Sequence, residues 1–211
     1  MNKQAYINRV ATALQGMDLK GLFPSVIIAQ AALEGGWGES LLAKQYNNHF
    51  GMKPGVYRTN YGGWNGQTVT LPTKEWKNGK YQVVNQEFRV YPSLEYSILD
   101  HNGLFYKLSR YKAVLTAKSP YEQLIAIKNG GYATEPEYVS RLMKVINDNN
   151  LTRFDGNTGQ GSVQPSTPAT NQSATTAQTS KIYKMNTKTL SIIIIVAGLA
   201  LAAIGGYNLV F

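Results

Sequence analysis

An α+β fold, a helical body carrying one inserted β-hairpin lobe, is what this sequence predicts. Three observations point there. Apolar residues recur at helical spacing towards both ends of the first 155 residues, a stretch rich in Gly, Thr, Tyr and Val runs from about Val56 to Val90 between them, and Asn78-Gly79 separates two strand-like runs inside that stretch. Such an arrangement expects a cleft where lobe meets body.

The elements follow in order. Tyr6, Val10, Ala13, Leu14 and Met17 repeat at helical spacing and give a first helix. Pro24 opens a second, PSVIIAQAALE, which is apolar nearly all round and therefore expected to be buried. Gly35-Gly36 break that helix, and a short third helix is expected around Ser40 to Tyr46. TVTLPTKEWK and KYQVVNQEFRVY, joined by Asn78-Gly79, read as a hairpin with a type I′ turn. After Pro92, Ser93 is placed to cap a helix to about Leu108. Ser119-Pro120, with Glu122 in the first turn, starts another, and the last runs from about Pro136 to Asn149.

Composition divides the chain into three parts. Residues 1–155 are globular in pattern and hold 18 basic and all 12 acidic residues, for a net charge of +6. Residues 156–180, GNTGQGSVQPSTPATNQSATTAQTS, carry no charge and almost no apolar bulk, which is the composition of a disordered linker. Residues 181–211 begin with Lys181, Lys184 and Lys188 and continue into LSIIIIVAGLALAAIGGYNLVF, 22 uncharged residues from Leu190 to Phe211. That length suits a C-terminal transmembrane helix and a lipid bilayer as partner. Gly198, Ala202 and Gly206 form a small-residue stripe through which two such helices can self-associate. The N-terminal MNKQAYINRVATALQGM is amphipathic and interrupted by Arg9, unlike the apolar stretch of a secretion signal, so the positive-inside rule expects the globular part on the cytoplasmic face.

Several chemistries are excluded or disfavoured. With no Cys there are no disulfides, thiol nucleophiles or Cys-based metal sites. His49 and His101 lie far apart without metal-ligand spacing, so neither a metal nor a cofactor is expected. A basic domain attracts polyanions in general, but no nucleic-acid recognition block occurs, and nucleic acid is not expected as a partner. The 14 Tyr and 3 Trp residues suit a sugar-binding cleft, where rings supply apolar faces.

Glu34 is the candidate acid. It ends an apolar helix, where the helix dipole and apolar neighbours both disfavour negative charge, and Gly35-Gly36 leave room for a ligand to approach. A carboxyl whose pKa is raised in this way can protonate a leaving oxygen near neutral pH.

Five blocks, AQAALEGGWGES, NNHFGMK, TKEW, FRVYPSLEYSILDH and GGYATEPEY, stand in an order and spacing that resembles the bacterial cell-wall glucosaminidase family of flagellar-rod-associated hydrolases and autolysins. The resemblance covers about residues 20 to 153. It implies a lysozyme-like fold and hydrolysis of peptidoglycan glycan strands after N-acetylglucosamine. It also implies Glu34 as the catalytic acid, in a motif where Gly35 replaces the usual Ser, and Glu75 as a second carboxylate that activates water from the lobe. Tyr132 resembles the family's cleft tyrosine, able to bond the 2-acetamido group or the water. Trp37, Asn47, Asn48 and Phe50 resemble cleft-lining, substrate-binding positions. His49 occupies a variable position and reads as incidental, Tyr138 as structural, and Glu135 stands where Asp is common. Attack by water or by the substrate's own acetamide is favoured over a covalent enzyme intermediate. A wall hydrolase facing the cytoplasm on a C-terminal anchor fits the lytic enzyme of a bacterial virus whose particle carries a membrane; the alternatives are a lytic transglycosylase and a non-catalytic wall-binding module.

Overall fold

The computed structural model describes residues 2–55, 58–77 and 80–157. The linker, the apolar tail and its small-residue stripe lie outside the described residues, as do the turn residues Asn78 and Gly79. Among the described residues no helix is long and apolar enough to cross a membrane.

Six α-helices and one two-stranded sheet make up the described part: α1 (Lys3–Leu14), α2 (Pro24–Glu34), α3 (Leu41–Tyr46), β1 (Thr68–Lys77), β2 (Lys80–Arg89), α4 (Leu94–Lys107), α5 (Pro120–Asn129) and α6 (Tyr138–Asp148). Two 3-10 segments, Ser109–Thr116 and Leu151–Asn157, are additions that helical periodicity did not anticipate. Helix starts follow local chemistry. Asn2 accepts the Ala5 N–H at 2.7 Å, Ser40 that of Ala43 at 3.1 Å, and Ser119 that of Glu122 at 3.2 Å. Ser93 differs from expectation. It occupies the N-cap position of α4 but makes no cap bond, because its hydroxyl donates to the Glu95 carboxylate instead.

Helix α2 is the axis of the body. Every residue from Pro24 to Ala32 is buried, and α1, α6 and the second 3-10 segment pack around it. Each fully enclosed Ile or Val there contributes roughly 1.5–3 kcal/mol of apolar burial. Polar groups fix its start: Asp155 accepts from the Ser25 N–H at 2.8 Å and the Ser25 hydroxyl at 2.7 Å, and Gln123 accepts the Phe23 N–H at 2.9 Å. The end of the helix, and Glu34 with it, is thereby set by the whole core.

The two strands pair antiparallel, from Thr68 opposite Arg89 to Lys77 opposite Lys80. That register leaves two residues to connect them, the connection length the Asn-Gly signal demands. The strands pack chiefly on each other, and the hairpin meets the helical body at its root. There Phe88 and Arg89 are buried, while Val83, further along, is exposed.

Candidate active site

The chain reverses sharply just after α2. Gly36, Trp37 and Gly38 all take left-handed conformations, with φ of 57°, 56° and 76°. For Trp37 such a backbone costs roughly 1 to 3 kcal/mol, a strain that the surrounding packing must hold. Gly38 lies so close beneath the Tyr6 ring that a Cβ there would come within 2.7 Å of it. The reversal is therefore moulded around Tyr6, whose hydroxyl donates to the Ala31 carbonyl at 3.1 Å and lies 2.8 Å from His49 Nδ1.

Glu34 is half-buried as a residue, but its carboxyl is withdrawn from water. Tyr132 Oη donates to Glu34 Oε2 at 3.2 Å. Burial pushes the Glu34 carboxyl up to about 8, against the weaker downward pull of the Tyr132 bond. The acid is consequently protonated at neutral pH, with a donor in place for the carboxylate left when the proton departs. Tyr132 and Tyr138 are both raised well above the ordinary phenol range, by burial first and by the Glu34 charge second. Both phenols thus sit in the field of this one carboxyl.

An aromatic wall supports Tyr132. The His101 ring meets it edge-on at 5.8 Å, Phe105 lies 5.7 Å away, and Phe50 stacks on His101 at 4.0 Å. Burial pulls His101 down to about 4, so the imidazole is neutral at pH 7.

The expected site residues divide into three groups. Glu34 and Tyr132 come together as a bonded pair. Trp37, shortly after Glu34 in sequence, is half-buried, with Tyr6 edge-on at 6.5 Å and the Lys3 ammonium 4.8 Å from its ring centroid. Asn47, Asn48 and Phe50 form a third group, which the structure ties into the body. The Asn47 amide donates to the Tyr91 and Pro92 carbonyls. Asn48 is buried, donating to the Met52 and Arg89 carbonyls and accepting the Met52 N–H, and Phe50 is enclosed against His101. The Asn48 amide is thus bonded to backbone through both its oxygen and its nitrogen. Glu75 lies on β1 opposite Gln82, and its side chain is outside the described residues.

His49 is not incidental. It is buried, its ring is stacked on Tyr6, and its backbone N–H donates to Ser97 Oγ at 3.3 Å. Tyr138 accepts from the Gln30 amide at 2.7 Å, and Glu135 pairs with Arg141 at 2.6 Å. Sequence reasoning passed over Tyr6 and His101. The second falls inside the FRVYPSLEYSILDH block, which was the available signal; the first reads only as an apolar helical position.

Two surface hollows, of about 540 and 720 Å³, lie elsewhere: one between the first 3-10 segment and α5, the other beside α1 and Phe154. Glu34 lines neither of them. Among the described residues no cluster of His, Asp and Glu is arranged to hold a metal ion.

Comparison with known proteins adds the following. Residues 10–151 match the profile of the family described as "Glucosaminidase: Mannosyl-glycoprotein endo-beta-N-acetylglucosaminidase". A probable N-acetylmuramidase of Lactococcus lactis subsp. cremoris is 37% identical over 172 residues, covering 76% of this chain and 37% of that protein. An autolysin of Enterococcus faecalis is 38% identical over 171 residues, covering 74% and 22% respectively. The catalytic domain of the autolysin Auto from Listeria monocytogenes superposes with a TM-score of 0.61 at 35% identity, covering 72% of this chain and 87% of that domain. The chain thus spans well under half the length of these curated relatives and most of the solved catalytic domain.

Proposed function

The chain belongs to the bacterial cell-wall glucosaminidase family, and from that premise we propose that it is a peptidoglycan hydrolase, an endo-β-N-acetylglucosaminidase that opens glycan strands after N-acetylglucosamine. The observation that carries this reading is a carboxyl that burial holds protonated to about pH 8, at the end of the central helix and bonded to Tyr132. Glu34 gives its proton to the leaving glycosidic oxygen, and the O–H donated by Tyr132 steadies the carboxylate that results. Glu75, carried on the lobe, orients and deprotonates the attacking water or positions the acetamide of the substrate. The outcome turns on separation: roughly 5 to 5.5 Å between two carboxyls suits a covalent intermediate, and about 6.5 to 9.5 Å leaves room for water.

Tethering to a membrane through residues 190–211 belongs to the same proposal, on the strength of their length and lack of charge. Lys181, Lys184 and Lys188 orient the domain to the cytoplasmic side, and a membrane-bearing virus particle reconciles that orientation with a wall substrate. Protease digestion of the domain in intact spheroplasts contradicts this topology; protection supports it.

Mass spectrometry of digested peptidoglycan tests the chemistry. The expected product ends in reducing N-acetylglucosamine. A reducing muramic acid end would assign the bond named for the Lactococcus relative, and an anhydro-muramic end would replace hydrolysis by transglycosylation.

A further inference from the structure

Arg89, the last residue of β2, is among the largest fully buried side chains of the protein. Its Nη1 donates to Asp100 Oδ2 at 2.6 Å, Nε to the Lys53 carbonyl at 2.9 Å, and Nη2 to the carbonyls of Pro54 at 3.2 Å and Thr59 at 2.8 Å. The guanidinium lies 4.2 Å from the Trp64 ring centroid and 5.1 Å from that of Tyr61. Asp100, equally enclosed, also accepts the Tyr91 hydroxyl at 2.7 Å and the Tyr61 N–H at 2.9 Å.

This cluster stands where the lobe joins the body. The strands pack chiefly on each other, so the lobe's attitude depends on its root. One planar fork fastens the end of β2 to α4 and to the chain segment that leads into β1. Asp100 and His101 are neighbours on α4, and His101 is the residue that meets Tyr132, the partner of Glu34. Helix α4 therefore lies between the lobe root and the acid. Desolvation offsets most of the attraction in an ion pair this deep, so net stability is a poor explanation for it; direction is what a fork held by four fixed acceptors supplies.

We propose that Arg89 and Asp100 are positioning residues for the glycosidase reaction, setting the angle between the helical body and the lobe whose strand β1 carries Glu75. The inference rests on the role given to Glu75 above. Lysine at position 89 keeps the charge but has no planar fork to reach Asp100 and three carbonyls at once. The lobe should then sample a wider range of angles, and misplacing a catalytic carboxylate by about 1 Å can lower turnover up to about 100-fold.

The natural chain has no Cys, so paired spin labels at Val83→Cys on the lobe and Tyr121→Cys on α5 report the lobe-to-body distance directly. Arg89→Lys in that background is expected to broaden the distance distribution and lower kcat about tenfold or more, with KM within about twofold and the helical circular dichroism retained. Tyr91→Phe removes one bond to Asp100 and leaves the ion pair. It is the milder variant, expected to show a smaller broadening and a few-fold loss of kcat, and it carries the test if the lysine variant does not fold. A parental distance distribution in the folded variant, or a broadened one with parental kcat, overturns the inference. Glu75→Gln is assayed alongside. Normal turnover there overturns the reading on which the inference rests, whereas impaired turnover beside an unaffected Arg89→Lys enzyme overturns the inference alone.

Discussion

Asp100 and Glu34 are both carboxyls withdrawn from solvent, and the fold provides for them in opposite ways. Around Asp100 the protein gathers a guanidinium, a phenol and a backbone N–H. Around Glu34 it places a tyrosine hydroxyl at 3.2 Å, and burial pushes the acid up to about 8. The difference teaches what separates a structural charge from a reactive proton. A buried carboxylate with both oxygens hydrogen-bonded to donors that include a cation holds two elements together, while a carboxyl whose burial outweighs its one phenol bond keeps its proton.

The largest expected effect breaks the contrast at its reactive end. Glu34→Gln preserves shape and removes the proton donor, so hydrolysis of purified peptidoglycan should fall about 1000-fold, as the loss of general acid catalysis commonly costs. Near-normal clearing of a wall suspension would remove Glu34 from the mechanism.

At the structural end, Asp100→Ala leaves the Arg89 charge buried without its counter-ion. Urea denaturation should show a loss of about 3 to 5 kcal/mol, and a change below about 1 kcal/mol would mean that the carbonyls alone satisfy the guanidinium.

A third measurement sharpens the comparison through pH. Glu34 has an ordinary value of 4.5 and a folded value of about 8. Below pH 4.5 both folded and unfolded forms are protonated; between 4.5 and 8 only the folded form keeps the proton, so stability declines as pH rises and levels off above 8. The stability gained by Glu34→Gln over the parent should therefore grow across that window, reaching on the order of 5 kcal/mol. A constant difference from pH 4 to pH 9 would contradict a protonated native acid.

The smallest effect concerns the bond that tempers Glu34. Since the Tyr132 hydroxyl lowers the acid's pKa, Tyr132→Phe should move the alkaline limb of the pH–rate profile upward. Turnover should drop about tenfold because the carboxylate formed at the transition state loses its donor.

Much of this arrangement was legible in the sequence, and the residues that were not share a physical cause. The end of α2 at Glu34 could be read because a glycine pair terminates an apolar helix, a local event. The hairpin register could be read because Asn-Gly fixes the connection length. The backbone bonds of Asn48 were not legible, because an Asn side chain can satisfy a sugar or a backbone equally well, and the approach of Met52 and Arg89 is not a local event. Nothing local marks Arg89 for burial, which depends on carbonyls 30 to 36 positions away and on Asp100. Tyr6 and His49 form their contact across 43 residues, beyond the reach of any local pattern.

Titration of the Glu34 side-chain carboxyl by carbon-13 NMR in the folded domain tests the central claim most directly, with Glu34→Gln used to assign the resonance. The predicted midpoint is near 8. A midpoint at the ordinary carboxyl value of 4.5 would show an acid already ionised at neutral pH and unable to protonate the glycosidic oxygen.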